Sequence, residues 1–206
     1  MKNLSNAERK RQKREAILTS AREVFRQKGL IDVTMKDIIE ATGISRGGIY
    51  LYFDSVDQIF MEVIKQRSNR KFDAIRHAIT KNPPFEELLN DYFESHEDRL
   101  LNQMENSLLR SMYEYYFTHK TSADHKFQQE QLAATKNTIL AILELGVAQG
   151  VLKDEQIPAI AENFMFVIEG MSVMALTGGI TAPQLTAQFD LMRKMLPKKA
   201  EQKRRT

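Results

Sequence analysis

Apolar residues recur three and four positions apart along almost the whole chain, and strand-like alternation is scarce, so the pattern predicts helices throughout. Residues 8–28 place Ile17, Leu18, Ala21, Val24 and Phe25 on one face, fill the others largely with basic residues, and stop at Gly29. Thr34 with Asp37 three positions on makes a variant capping box, opening a short helix through Ile38 and Ile39 to Ala41. Gly43 interrupts the pattern, and Ser45 is placed to cap a second short helix carrying Ile49 and Tyr50. Ser55 with Gln58 forms another capping box. It starts a long helix bearing Ile59, Phe60, Val63, Ile64, Phe72, Ile75 and Ile79, which Asn82-Pro83-Pro84 must end. Further helices are expected over 85–99, 103–119, 123–149, 158–177 and 182–196, the last two parted by Gly178-Gly179 and Pro183. The fold class is all-α: a small N-terminal head of short helices, residues 1–54, and a larger helical body, residues 55–197.

Composition adds a solubility argument. Of 206 residues, 42% are hydrophobic and 28% charged, enough for both a core and a hydrated surface, and cysteine is absent, which suits a reducing compartment. The basic start, MKNLSNAERKRQKRE, is not followed by the apolar stretch of a signal peptide. The run from Ile157 to Leu176 carries Glu162, Asn163 and Glu169, which argues against a membrane span. A soluble, cytoplasmic protein with no membrane partner is expected. Charge is unevenly spread: residues 1–54 carry +4, residues 55–197 carry −5 and the tail 198–206 carries +4. The tail reads as a basic, disordered end. A basic head on an acidic body points to a head that meets a polyanion.

The head's pattern names that polyanion. Two short helices joined at Thr42-Gly43-Ile44 read as a helix-turn-helix packed over the first helix through Ile38, Ile44 and Ile49. Such a unit lays its second helix in the DNA major groove. Ser45, Arg46, Gly47, Gly48, Tyr50 and Tyr52 then fall on the reading element, with Thr34 and Lys36 at the start of the preceding helix. The planar fork of Arg46 matches a guanine edge, although a phosphate contact suits it almost as well. Thr34, Lys36, Tyr50 and Tyr52 suit phosphate or sugar contacts. The two glycines would let the backbone approach DNA closely.

The run TMKDIIEATGISRGGIYLYFDSVDQIF, residues 34–60, preceded by AREVFRQKG at 21–29, resembles the TetR family of bacterial transcriptional regulators. The resemblance implies a homodimeric DNA-binding protein whose body takes a small-molecule inducer, and it implies repression. Family members usually place a phosphate-holding basic residue where this chain has Val56, and Asp54 nearby repels phosphate. The basic residues Arg9, Lys10, Arg11, Lys13 and Arg14 are candidates to compensate.

In the body, residues 158–177 are apolar nearly all round, and the next helix carries a narrow stripe. Phe164, Met171, Leu185, Phe189, Met192 and Leu196 are the expected dimer surface, as the family implies, with an ordinary monomer core as the competing reading. Tyr92, Met104, Leu108, Met112, Tyr113, Tyr116, Phe127 and Met165 are candidate pocket residues, since methionine and aromatic rings adapt to apolar ligands. The same stripe is also how plain core reads. Glu105, Glu114 and Glu169 would meet a cationic group on the ligand.

Nothing in the chain argues for catalysis. The four histidines form no HExxH, no GxxxxGK[ST] or strand-borne GxGxxG occurs, and the GxSxG match at Gly43–Gly47 lies between two expected short helices rather than after a strand, so no catalytic residue, metal ligand or cofactor is assigned. The reading is a ligand-responsive homodimeric repressor holding a palindromic operator through residues 34–53. The alternative is a small-molecule or protein-binding module of the same fold with weak or no specific DNA binding.

Overall fold

In the computed structural model, residues 5–104 and 107–199 are described; Glu105 and residues 200–206 of the basic tail lie outside them. Among the described residues, nine helices and no strand are present: α1 (Asn6–Lys28), α2 (Met35–Thr42), α3 (Arg46–Tyr50), α4 (Val56–Thr80), α5 (Phe85–Asn102), α6 (Leu109–Thr118), α7 (Ser122–Ala148), α8 (Ile157–Leu176) and α9 (Ala182–Met195). One isolated antiparallel bridge joins Leu152 and Lys198. The all-α expectation holds. The largest boundary difference is at α6, which begins six residues later than the 103–119 pattern suggests.

The chain forms two compact units, and they do not follow a division at residue 54. One takes in the described residues of Met1–Arg67 and Glu105–Gln128, the other those of Ser68–Met104 and Gln129–Thr206. The difference has a packing cause. The first α4 turns and α6 supply Phe60 and Tyr115 to the same buried aromatic file as Phe25 of α1. Phe25 and Phe60 meet edge to face at 5.2 Å, Phe60 and Tyr115 lie 5.4 Å apart, and Tyr115 and Phe127 lie 5.4 Å apart. Each such pair contributes about 0.5–1.5 kcal/mol beyond the area it buries. Ile17, Leu18, Ala21, Ile38, Ile49, Phe53, Ile59 and Val63 complete that core, each at most 1% exposed.

The second unit is centred on Phe93 of α5. Its ring lies 4.9 Å from Phe189 of α9 and 6.0 Å from Phe164 of α8, and the Arg193 guanidinium covers it at 5.0 Å. The N-cap position of α5, Pro84, has no capping side chain, so its first amide turns elsewhere. Phe85 N–H donates to Gln149 Oε1 at 2.9 Å, while Gln149 Nε2 donates to the Pro83 carbonyl at 2.7 Å. By length and composition α8 is long and apolar enough to cross a membrane, as core helices of soluble proteins also can be. Its residues Phe164, Ile168 and Met171 are buried in this unit, with the Phe164 ring beside Phe93.

Candidate nucleic-acid interface

Helix α1 ends at Gly29, and α2 begins on a complete capping box. Asp37 N–H donates to Thr34 Oγ1 at 3.3 Å, while Thr34 N–H and Oγ1 donate to Asp37 Oδ2 at 2.8 and 2.6 Å. Lys28 of α1 reaches Asp37 Oδ1 at 2.5 Å and, with the two Thr34 bonds, holds that carboxyl well below the usual aspartate range. Thus the α1–α2 corner is fixed by charge at its edge and by Ile38 beneath. The predicted turn is present: Gly43 sits at φ 64°, ψ 9° and its N–H closes on the Ile39 carbonyl at 3.1 Å. Side chains other than glycine rarely tolerate that backbone.

Ser45 caps α3, its Oγ accepting from Gly48 N–H at 3.3 Å. Ile49 is fully buried and pins the short helix to the core, so its other positions turn outward. Arg46, Gly47 and Tyr50 are exposed, and the Arg46 guanidinium lies 5.6 Å from the centre of the Tyr50 ring. That cation–π contact gives the guanidinium a preferred direction. Tyr50 is outside the core, as expected, and Tyr52 is half-buried.

The paired glycines separate on structural grounds. A Cβ on Gly48 would lie 2.8 Å from Ile44 Cγ2 and 3.2 Å from Ser45 Oγ, so the α3 cap itself requires glycine there. A Cβ on Gly47 would meet nothing within 4 Å. Sequence reasoning treated the two alike because spacing alone cannot show which one faces a neighbour. It also passed over Leu51, which is 82% exposed directly after α3; only burial distinguishes it from a core leucine.

Lys36 projects into solvent with Glu40 3.7 Å away. The basic run at the start of the chain is no flexible arm from Asn6 on, because it forms the first turns of α1. Ser5 begins the helix with a capping box to Glu8. Lys10, Arg11 and Lys13 are exposed, whereas Arg14 pairs with Glu62 at 2.9 Å and covers the Phe53 ring at 5.1 Å. Arg14 is therefore a packing cation of the head.

The remaining expected site residues fall as follows. Leu108, Met112, Tyr116 and Phe127 are buried and Tyr113 half-buried in the first unit; Met112 Sδ accepts from Arg67 at 3.0 Å, and Tyr113 meets Tyr116 edge to face at 6.0 Å. Tyr92, Met104 and Met165 belong to the second unit. Tyr92 packs 4.6 Å from the buried His96 ring, and burial first, then the Glu169 charge, pushes its hydroxyl above the ordinary tyrosine range, against a downward pull from Arg99.

The expected dimer stripe requires correction. Phe164, Met171, Leu185, Phe189, Met192 and Leu196 are all buried inside the single protomer, none more than 6% exposed. A narrow apolar stripe reads the same whether its partner is in the same chain or another, and here α5 is that partner. The apolar residues left outside are Phe166, Val173 and Met174 of α8 and Leu191 and Met195 of α9, 37–61% exposed.

Two short helices around a left-handed glycine, pinned by Ile38 and Ile49, with an arginine and tyrosines turned outward, define a helix-turn-helix DNA-binding protein. Residues 17–63 match the model of the bacterial regulatory proteins of the tetR family. The HTH-type transcriptional regulator YfiR of Bacillus subtilis (strain 168), itself uncharacterized, is 27% identical over 174 residues, 82% of each chain. Solved structures agree in fold. The reduced form of E. coli NemR superposes with a TM-score of 0.77 at 11% identity over 92% of this chain and 99% of that one. A regulator from Saccharomonospora viridis in complex with choline gives 0.73 at 19% identity over 92% and 100%. Over residues 17–63 the chain is similar to the tetR family, and with the Bacillus subtilis relative this supports a DNA-binding transcriptional regulator.

Proposed function

We propose that this regulator works as a cytoplasmic homodimeric repressor on a palindromic operator, acting by binding rather than catalysis, and releases DNA when a small apolar molecule enters its helical body. The observation that carries the reading is the uncovered apolar stripe on α8 and α9: Phe166, Val173 and Met174 recur at helical spacing, and Leu191 and Met195 lie four apart. One head reads one half-site, and a two-fold partner on that stripe supplies the second, about 34–36 Å away along the groove.

Within each head, Arg46 reads a guanine edge from its position over Tyr50. Thr34, Lys36, Ser45, Tyr50 and Tyr52 contact the sugar-phosphate backbone, and Gly47 admits it closely. Thr34 brings its backbone and hydroxyl already ordered by Asp37. In the second unit, Tyr92, Met104 and Met165 remain candidate inducer contacts. Choline in the Saccharomonospora viridis neighbour lends support to a cationic group on the inducer, and Glu169, whose charge is felt at Tyr92, is the carboxylate to meet it. Binding free energies are linked, so an inducer that weakens DNA binding is itself weakened by DNA to the same degree.

Selection from random DNA at near-physiological salt tests the reading. An inverted repeat with half-sites one helical turn apart is expected. Recovery of no sequence that outcompetes bulk DNA would favour instead a binding module of the same fold, with Val56 and Asp54 as the reason for lost phosphate affinity.

A further inference from the structure

Helix α6 grips the corner of the head that leads from α1 to α2. Glu114 is only 15% exposed, and its Oε2 accepts from the backbone N–H of Leu30 at 2.5 Å and of Ile31 at 3.1 Å. Its other oxygen accepts from Arg110 Nε at 2.6 Å, and Arg110 also reaches Asp32 at 3.3 Å. One turn earlier on α6, the fully buried Ser111 hydroxyl donates to the Phe25 carbonyl at 2.8 Å. That same carbonyl receives Gly29 N–H at 3.0 Å, closing α1.

The α1–α2 corner is shaped around the carboxylate. Gly29 stands at φ 82°, ψ −162°, and a Cβ there would sit 2.5 and 2.7 Å from the two Glu114 oxygens. Leu30 and Val33 on either side are buried, so the corner has little freedom of its own. Two consecutive backbone donors aimed at one charged carboxylate make a strong and directional attachment. The capped start of α2 follows three residues after Ile31, and α3 follows α2 through a three-residue connection.

We propose that Glu114, with Ser111, is a positioning residue for DNA binding: the α6 carboxylate holds the α1–α2 corner, and α6 and the reading helices move as one piece. The proposal rests on the head binding DNA, and it goes further by naming the attachment through which α6 and the head influence each other. Because coupling is reciprocal, occupancy of the head by DNA must be felt at α6 with no inducer present. The corner therefore transmits in both directions.

Hydrogen exchange read by mass spectrometry on the full chain tests this, with and without the tightest duplex recovered from random DNA. In the wild type, DNA is expected to slow exchange over residues 29–34 and over α6, as well as over 34–53. In Glu114→Ala, protection over 34–53 remains, protection of α6 disappears, and affinity for the duplex falls about tenfold, the size of one lost charged hydrogen-bond pair. Glu114→Gln keeps the side-chain length and one carbonyl acceptor; it carries the same test should the alanine variant not fold, with a smaller loss of both signals. Persistence of DNA-induced protection at α6 in a folded variant overturns the proposal, and so does a wild-type α6 that is insensitive to DNA. Absence of protection over 34–53 in the wild type would overturn the DNA-binding reading itself, and this inference with it.

Discussion

Gly47 gives the most discriminating experiment on the reading helix, because the protein and its DNA are expected to want opposite residues there. Glycine in a helix costs about 0.5–1 kcal/mol relative to alanine, through the extra freedom of the unfolded chain. Gly47 lies in α3, has no positive φ, and a Cβ there would touch nothing within 4 Å, so no internal contact repays that cost. Gly47→Ala should therefore stabilise the isolated protein by that amount, raising its melting temperature by about 1–4 °C for a chain of this size. On DNA, the proposed close approach of Gly47 would put the added methyl between backbone and groove. Displacing contacts there should weaken binding by about 1–3 kcal/mol, roughly a five- to 150-fold loss in affinity. Differential scanning fluorimetry reads the first effect and fluorescence anisotropy on the selected operator reads the second. Gly48→Ala is the control: its Cβ would press on Ile44 and Ser45, so stability itself should fall by about 1 kcal/mol through the disturbed cap. A Gly47→Ala protein that melts higher and binds DNA as tightly as the wild type would refute the close approach.

Three more outcomes are expected. Arg46→Ala should cost about 1–3 kcal/mol on the selected operator and little on bulk DNA, whereas an equal loss on both would make Arg46 a phosphate contact. Phe166→Asp or Met174→Asp should elute from a sizing column as a folded monomer, while Phe189→Ala should unfold more readily by about 3–5 kcal/mol because it empties the Phe93 cluster; dimers that survive both surface changes would exclude the α8–α9 stripe. Acid should destabilise the first unit through Asp124. Its carboxyl is held at about 2 against an ordinary 3.8, first by the Thr121 hydroxyl and then by the Tyr115 hydroxyl donating at 2.6 Å. A depressed carboxylate stabilises fully above its unfolded value and loses that contribution as pH falls through its folded value, so the loss runs from about pH 4 to pH 2. Urea midpoints of Asp124→Asn should depend less on pH across that window, and an unchanged dependence would remove Asp124 from the account.

Much of the head was legible because local chemistry governs it. Thr34 with Asp37, Gly43 and Ser45 each act within three or four residues of themselves, and spacing suffices to place them. The body was legible as helices but not as surfaces. Leu185, Phe189 and Met192 repeat at the spacing of a helix seam, and the sequence cannot say whether α5 or a second chain fills it. The same limit hid Arg14, read as a DNA-facing cation and found against Phe53 and Glu62.

The amino-acid order alone determined that this chain is helical, where its helices cap and break, and that residues 34–53 form a helix-turn-helix, since these follow from backbone propensity and contacts close in sequence. Only the tertiary structure decided what each apolar face is buried against. It set α6 into the head unit by Ser111 on Phe25 and Glu114 on Leu30 and Ile31, contacts that span more than eighty residues. It also separated Gly48, hemmed in by Ile44, from Gly47, open to whatever approaches from outside. Periodicity fixes a direction on a helix; which surface lies in that direction is a property of the packed fold.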